Sequence, residues 1–240
     1  MPYPLAAAAV PAAAAGAFAQ RVSGLGFSLI VAPTLALAAG PRDGVALTNL
    51  LSMVVALGVF ATSARNLDAA KSAILILAGL IGVIPGGIAF DLLPAGPLQV
   101  IVGVVTGLGL AAVTAGRRLR VAPSPATTVA AGLASGFTTA VAGAGGPALT
   151  VYAVATDWPQ PSFAATAQIS FAIQAAAAMG IKGIPSLPVA WLSVTVAAAI
   201  GGLTAGHLLE HRINATHTRR AAIAVAALAT AVAVVRGILA

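Results

Sequence analysis

The sequence predicts an all-α polytopic membrane protein built from two homologous repeats. Three observations predict it. First, the 240 residues are 60% hydrophobic and only 7% charged, where soluble domains carry about 25% charged residues. Second, apolar stretches long enough to cross a bilayer follow one another with short polar breaks. Lipid forces each such segment to satisfy its own backbone hydrogen bonds, which selects helices here. Third, the pattern of the first half recurs in the second at a fixed shift. Phe18 falls on Phe137, so the shift is 137 − 18 = 119 residues.

The apolar segments run over residues 4–39, 45–63, 72–90, 97–116, 125–156, 162–181, 187–209 and 221–238. They divide into repeats over 1–120 and 121–240. The shift of 119 also brings Val22 onto Val141, Gly24 onto Gly143, Gly26 onto Gly145, Gly82 onto Gly201 and Gly87 onto Gly206. Polar positions correspond too: Asn49 with Gln168, and Asp91 with Glu210. Repeats of this kind build many secondary transporters, with the transport site between them.

The N-terminal MPYPLAAAAVPAAAAGAFAQ imitates a signal peptide but lacks a basic n-region, so it is expected to stay as part of the first repeat. That first segment is too long for one crossing and is interrupted by VSGLGFS, Val22 to Ser28. The segment opening the second half is interrupted in register by VAGAGGP, Val141 to Pro147. Glycine is costly inside a helix and proline removes a donor. Each long segment is therefore expected to break and turn back as a re-entrant or kinked pair of half-helices.

The distribution of basic residues favours turning back. If both long segments are re-entrant, each half has an odd number of crossings and the repeats are inverted. Arg65, Lys71, Arg117, Arg118, Arg120, Arg212, Arg219 and Arg220 then share one side, against Arg42, Lys182 and Arg236: eight against three. If both cross once, the division is seven against four. The stronger bias marks the cytoplasmic side, with both termini opposite. The excess of 12 Lys and Arg over 5 Asp and Glu is thus a topology signal, and no run suggests a nucleic-acid surface. Paired glycines four apart, Gly82/Gly86, Gly103/Gly107, Gly132/Gly136 and Gly202/Gly206, are expected to let helices pack closely.

Non-helical backbone at membrane depth is tolerated where protein or water surrounds it. Amides freed at half-helix N-termini attract anions, helped by the helix dipole. The expected substrate site therefore gathers Ser23, Gly24 and Gly26 from the first break with Gly143, Gly145 and Gly146 from the second. Arg21 is the one charge deep in an apolar segment, which is costly and usually functional; it is expected to face the substrate. Thr138 and Thr139 flank the second break. Asn49 and Gln168 occupy equivalent places in the next spans, with Ser52, Ser170 and Gln174 nearby. Such polar groups also bridge helices for about 0.6–2 kcal/mol each.

Other chemistries find less support. Cysteine is absent, which removes disulfides, thiolate metal sites and a Cys nucleophile. His207, His211 and His217 sit in a basic stretch without a metal-ligand spacing, so neither metal nor cofactor is expected. Ser135 lacks the preceding glycine of an intramembrane serine protease, because Ala134 stands there; no enzymatic constellation is present. Asp43, Asp68, Asp91, Asp157 and Glu210 all fall in loops or at span ends, so no proton relay is expected. An anion leaving a negative-inside cell gains about 2.3 kcal/mol per charge per 100 mV, enough for uncoupled export.

Several stretches together resemble the TauE/SafE sulfite exporter family. In the first half they are SGLGFSLIVAPTLAL, GPRDGVALTNLL and ARNLDAAKSAILILAGLIGVIPGGIAF. In the second they are VAGAGGPALTVYAVA, PQPSFAATAQISF and LPVAWLSVTVAAAIGGLTAGHLL. The resemblance covers about residues 8–238. It implies a bacterial inner-membrane exporter of small sulfur anions: sulfite, sulfoacetate and related organosulfonates. The first break departs from the family's glycine run, since Leu25, Phe27 and Ser28 intervene. A channel-like anion uniporter with other cargo, or a membrane scaffold, are the alternatives; the expected partners are a small anion, lipid, and in one arrangement a second copy as a homodimer.

Overall fold

The computed structural model describes residues 4–23, 27–115 and 120–239. Gly24 and Gly26 of the first break lie outside the described residues. Within them the chain forms ten α-helices, one short 3-10 turn (Ala64–Asn66) and no strand. In the first half these are α1 (Pro4–Ser23), α2 (Phe27–Ala39), α3 (Pro41–Ser63), α4 (Ala69–Leu92) and α5 (Ala95–Ala115). In the second they are α6 (Pro125–Ala142), α7 (Gly146–Ala155), α8 (Gln160–Lys182), α9 (Val189–Leu209) and α10 (Ala215–Leu239). Six of them, α3, α4, α5, α8, α9 and α10, are long and apolar enough to cross a membrane; α2 and α7 are apolar but shorter.

Local chemistry sets the boundaries. Gly40, with φ 82°, turns the chain between α2 and α3 in a conformation that L side chains resist. Pro41 follows in the first turn of α3, where its missing donor is not needed. Asp68 caps α4 by accepting from the Lys71 amide at 3.0 Å, and Ser124 with Thr127 forms a capping box on α6. At the other end of α6, Gly143 is left-handed with φ 69°. The Gly143 amide donates to the Thr139 carbonyl at 3.0 Å, the bond of the left-handed αL helix stop, and the Ala144 amide donates to the Thr138 carbonyl at 3.2 Å. Helix α7 starts three residues later.

Shifted by 119, α3 lands on 160–182, the bounds of α8, and α2 starts at 146, where α7 starts. The shift carries the end of α1 to 142, the end of α6, and carries α4 to 188–211, within two residues of α9 at either end.

The close approaches at glycine define helix directions. A Cβ on Gly16 of α1 would lie 3.2 Å from the Phe27 ring of α2, with Val31 also against it, so α1 and α2 run antiparallel. Gly44 of α3 abuts Leu35 and Ala36, so α3 reverses direction again. Helix α9 lies parallel to α1, Gly202 meeting Ala14 and Gly206 meeting Phe18 and Arg21. Helix α6 lies parallel to α4, Gly132 meeting Leu75 and Ala78, Gly136 meeting Gly79, and Gly86 meeting Phe137. Helix α10 runs antiparallel to α5: Gly237 meets Gly96 and Val100, Gly103 meets Val234, and the Thr106 and Thr230 hydroxyls lie 3.1 Å apart. The paired small residues thus sit on helix contacts, where backbone approaches backbone.

The outer surface is apolar. Ile81, Ile84 and Ile88 of α4 are more than half exposed, as are Leu228 and Val235 of α10. Contiguous exposed apolar surface of this kind suits lipid. Polar side chains are buried inside instead, above all on α8 and α6, and α8 packs against α3, which buries Thr48 and Asn49.

Candidate functional site

A partly open cavity of about 40 Å³ lies between α1, α2, α3, α8 and the α6–α7 junction. Helix α3 lines it with Asn49, Ser52, Val55 and Ala56. Helix α8 contributes Gln168, Phe171 and Ala175. Gln20, Phe27 and Ser28 come from the α1 and α2 ends, and Thr139, Gly143, Gly145 and Gly146 from the α6–α7 junction. None of these side chains is charged.

The lining follows the internal shift. Gln20 pairs with Thr139, Phe27 with Gly146, Asn49 with Gln168, Ser52 with Phe171 and Ala56 with Ala175, each 119 residues apart. Gly143 and Gly145 correspond to Gly24 and Gly26, which lie outside the described residues. The remaining two, Ser28 and Val55, correspond to Pro147 and Gln174, so the cavity is chemically asymmetric although positionally paired.

Asn49 carries the most informative geometry. It is 0% exposed, yet among the described residues neither Nδ2 nor Oδ1 has a hydrogen-bond partner. The Ser52 hydroxyl, one turn on along the same helix face, is buried and equally without a partner. Leaving a buried polar group unpaired costs about 1–3 kcal/mol, so such groups call for a ligand, a water or a strain account. Here they face a cavity that has room for about three waters at 10–15 Å³ each.

Neighbouring polar groups are occupied. Gln20 Oε1 accepts from the Phe27 amide at 2.7 Å, tying the end of α1 to the start of α2. Gln174, fully buried, accepts from the Ser135 hydroxyl at 2.9 Å, and Ser170 donates to the Thr166 carbonyl at 2.8 Å. These are helix-bridging and back-bonding roles. Gly145 leaves no room for a side chain: a Cβ there would sit 2.8 Å from Ser135 Oγ and 2.9 Å from its carbonyl oxygen. Gly146 is different, with Ser28 Oγ at 3.8 Å and the Phe171 ring at 3.9 Å, ordinary contacts across the cavity.

The structure therefore brings together Asn49, Thr139, Gly143, Gly145, Gly146 and Gln168 of the residues singled out in the sequence. Three others lie elsewhere. Thr138 lines an apolar groove between α4 and α6 and donates to the Ala134 carbonyl at 2.8 Å. Ser23 donates to the Ala19 carbonyl at 2.7 Å. Arg21 is absent from the cavity lining. Its Nε and Nη2 each lie 3.0 Å from the two oxygens of Glu210, Nη1 donates to Thr62 Oγ1 at 3.1 Å, and Nη2 lies 2.7 Å from His207 Nδ1. Of these two Glu210 contacts only Nη2–Oε1 is aligned as a hydrogen bond, Nε being close but without one; a charge-assisted bond inside an ion pair is strong, so the charge expected at the substrate is held by α9 instead. Sequence reasoning left Gln20, Phe27, Ser28 and Phe171 out of the site and named Ser52 only as a nearby hydroxyl. Applying the shift of 119 to Thr139 and Gly146 would have found Gln20 and Phe27, and the helical i, i+3 step from Asn49 and Gln168 leads to Ser52 and Phe171.

At the C-terminal end of α8, Lys182 Nζ donates to the Ala140 carbonyl at 2.6 Å and stands 4.5 Å from the Phe90 ring centroid. Arg42 stacks on the same ring at 5.4 Å and donates to the Asp91 and Leu93 carbonyls at 3.0 and 3.1 Å. Asp91 is the position equivalent to Glu210, and Ala140 the position equivalent to Arg21. Each equivalent corner of the molecule is thus tied by a cation, supplied from different helices.

A protein-family model described as sulfite exporter TauE/SafE matches residues 8–234. No curated protein and no solved structure matches the chain.

Proposed function

The chain belongs to the sulfite exporter TauE/SafE family, a family of membrane transporters of sulfur anions, and from that premise we propose that it exports small sulfur oxyanions through the cavity between α3 and α8. The observation that carries this is the pair of buried, unpartnered groups, Asn49 and Ser52, facing a neutral cavity. Asn49, Ser52 and Gln168 orient the anion, and backbone at Gly145 and Gly146 approaches it closely. The small volume favours sulfite over longer sulfonates in this conformation. The residence proposed is the bacterial inner membrane.

The architecture is read as two inverted repeats, 1–120 and 121–240. The antiparallel run of α5 and α10 supports it: helices that correspond by sequence but point in opposite directions are related by an axis in the membrane plane. The five pairs of lining residues support a site on that axis. The turned-back α1 and α2 support a hairpin opening to the first repeat, which gives that repeat the odd number of crossings an inverted pair requires. The basic-residue bias then assigns Arg21, Glu210, Arg65 and Arg212 to the cytoplasmic end, and Arg42 and Lys182 to the outer end. Rocking of the repeats about the axis opens one end and then the other, and release of Arg21 from Glu210 accompanies inward opening. Arg21 thus acts on the path to the site.

Flux into proteoliposomes of sulfite, sulfoacetate, sulfate and chloride tests this, comparing native protein with Asn49→Ala and Arg21→Ala. Saturable sulfite movement that Asn49→Ala abolishes supports the reading. Movement unchanged in Asn49→Ala rejects the site. No movement of any anion rejects transport and turns attention to a scaffold role.

A further inference from the structure

Resting on that transport reading, we infer that the cavity accepts its oxyanion as a singly charged species that still carries one hydroxyl proton: hydrogen sulfite in its oxygen-protonated form, not the sulfite dianion.

The Asn49 amide presents a donor atom, Nδ2, with two N–H bonds, and an acceptor, Oδ1, and neither atom is used among the described residues. A fully deprotonated oxyanion offers only lone pairs. It satisfies Nδ2 and sets oxygen against oxygen at Oδ1. A protonated monoanion satisfies both, accepting from Nδ2 through one oxygen and donating its O–H to Oδ1. Because both atoms are free, the conclusion does not depend on which way the amide is flipped. Ser52 Oγ, also unpartnered, donates or accepts as required.

Charge leads to the same species. Among the described residues the lining carries no charged side chain, so a second negative charge would meet only the partial charge of the α2 and α7 N-termini and no counter-ion. The cost of taking an ion out of water grows as the square of its charge, so a dianion costs about four times what a monoanion costs. The charged and titratable groups on the surrounding helices lie at helix ends. They are Arg21, His207 and Glu210 where α1 and α9 end, Arg65 just past α3, Lys71 and Asp68 at the start of α4, Tyr152 in the last turn of α7 with its hydroxyl 2.7 Å from Thr128 Oγ1, Asp157 just past α7, and Arg42, Asp43, Asp91 and Lys182 at the corner where α3 starts and α4 and α8 end. Arg21 is held by Glu210 at 3.0 Å.

Sulfite and hydrogen sulfite interconvert near neutral pH, which makes the species measurable. Proteoliposomes holding a lightly buffered lumen and a pH indicator are given sulfite at a pH where the dianion dominates, with protein-free vesicles as the blank. If hydrogen sulfite is carried, each ion that enters releases a proton as it reverts to sulfite. Uptake is then accompanied by about one proton of lumen acidification per sulfite. The initial rate at fixed, subsaturating total sulfite falls about tenfold for each pH unit above the sulfite dissociation. Sulfite uptake without acidification, or sulfate moving as fast as sulfite, overturns the inference while leaving the transporter intact. Absence of uptake of any anion at every pH overturns the transport reading and this inference together.

Discussion

Replacing Asn49 by leucine separates a binding role from a packing role. In the structure the Asn49 side chain is fully buried with two polar atoms unpartnered. A structural asparagine with satisfied bonds would lose stability on this change, whereas an unsatisfied one gains it. Removing the unpaired amide is expected to stabilise the protein by about 1–3 kcal/mol. The adjoining cavity of about 40 Å³ gives the branched side chain room. For a chain of this size each kcal/mol corresponds to about 2–4 °C in Tm, read by thermal unfolding of the purified protein in detergent. Transport moves the opposite way. Hydrogen bonds to a charged group contribute about 1.5–3 kcal/mol, and 1.4 kcal/mol is a factor of ten. Initial sulfite flux at subsaturating concentration is therefore expected to drop about tenfold to hundredfold. A variant that is less stable than the native protein refutes the reasoning, because Asn49 then has a structural partner. A variant that keeps its flux refutes the site.

The glycines at the second break make a paired test. Gly146→Ala meets only ordinary contacts at 3.8 and 3.9 Å, so it should fold with unchanged Tm while its methyl enters the cavity and lowers sulfite flux; unchanged flux would place the path elsewhere. Gly145→Ala drives its methyl to within 2.9 Å of the Ser135 carbonyl and should lose about 1–3 kcal/mol of stability by overpacking. Gly136→Ala places a methyl 2.8 Å from the Gly79 Cα on the facing helix, forcing α4 and α6 apart; a reduced yield of folded protein on size-exclusion chromatography is expected, and a native yield would show that the two helices can separate freely. Arg21→Gln and Glu210→Gln should be non-additive in Tm, with a coupling of about 1 kcal/mol, since each removes the other's partner; additive losses would mean that the two side chains do not interact in solution.

The sequence by itself determined what depends on local composition. Long apolar runs specify helices in lipid because no other partner for the backbone exists there. Glycine at 143 specifies a left-handed helix stop because it lacks a Cβ, and paired small residues such as Gly132 and Gly136 specify close helix contacts because only they admit a facing backbone. Asn49 and Gln168 were visible as polar residues at equivalent places in apolar spans. Only the tertiary structure decided where side chains point. Thr138 and Thr139 are adjacent in the chain, yet about 100° apart around the helix; one faces the lipid-side groove and the other the cavity. Arg21 was legible as a costly charge, but its partner Glu210 lies 189 residues away and comes beside it only because α1 packs parallel to α9. Burial, too, was decided in three dimensions: Asn49 is fully buried with both amide atoms unpartnered beside a cavity because of which helices surround α3, and those neighbours are distant in the chain.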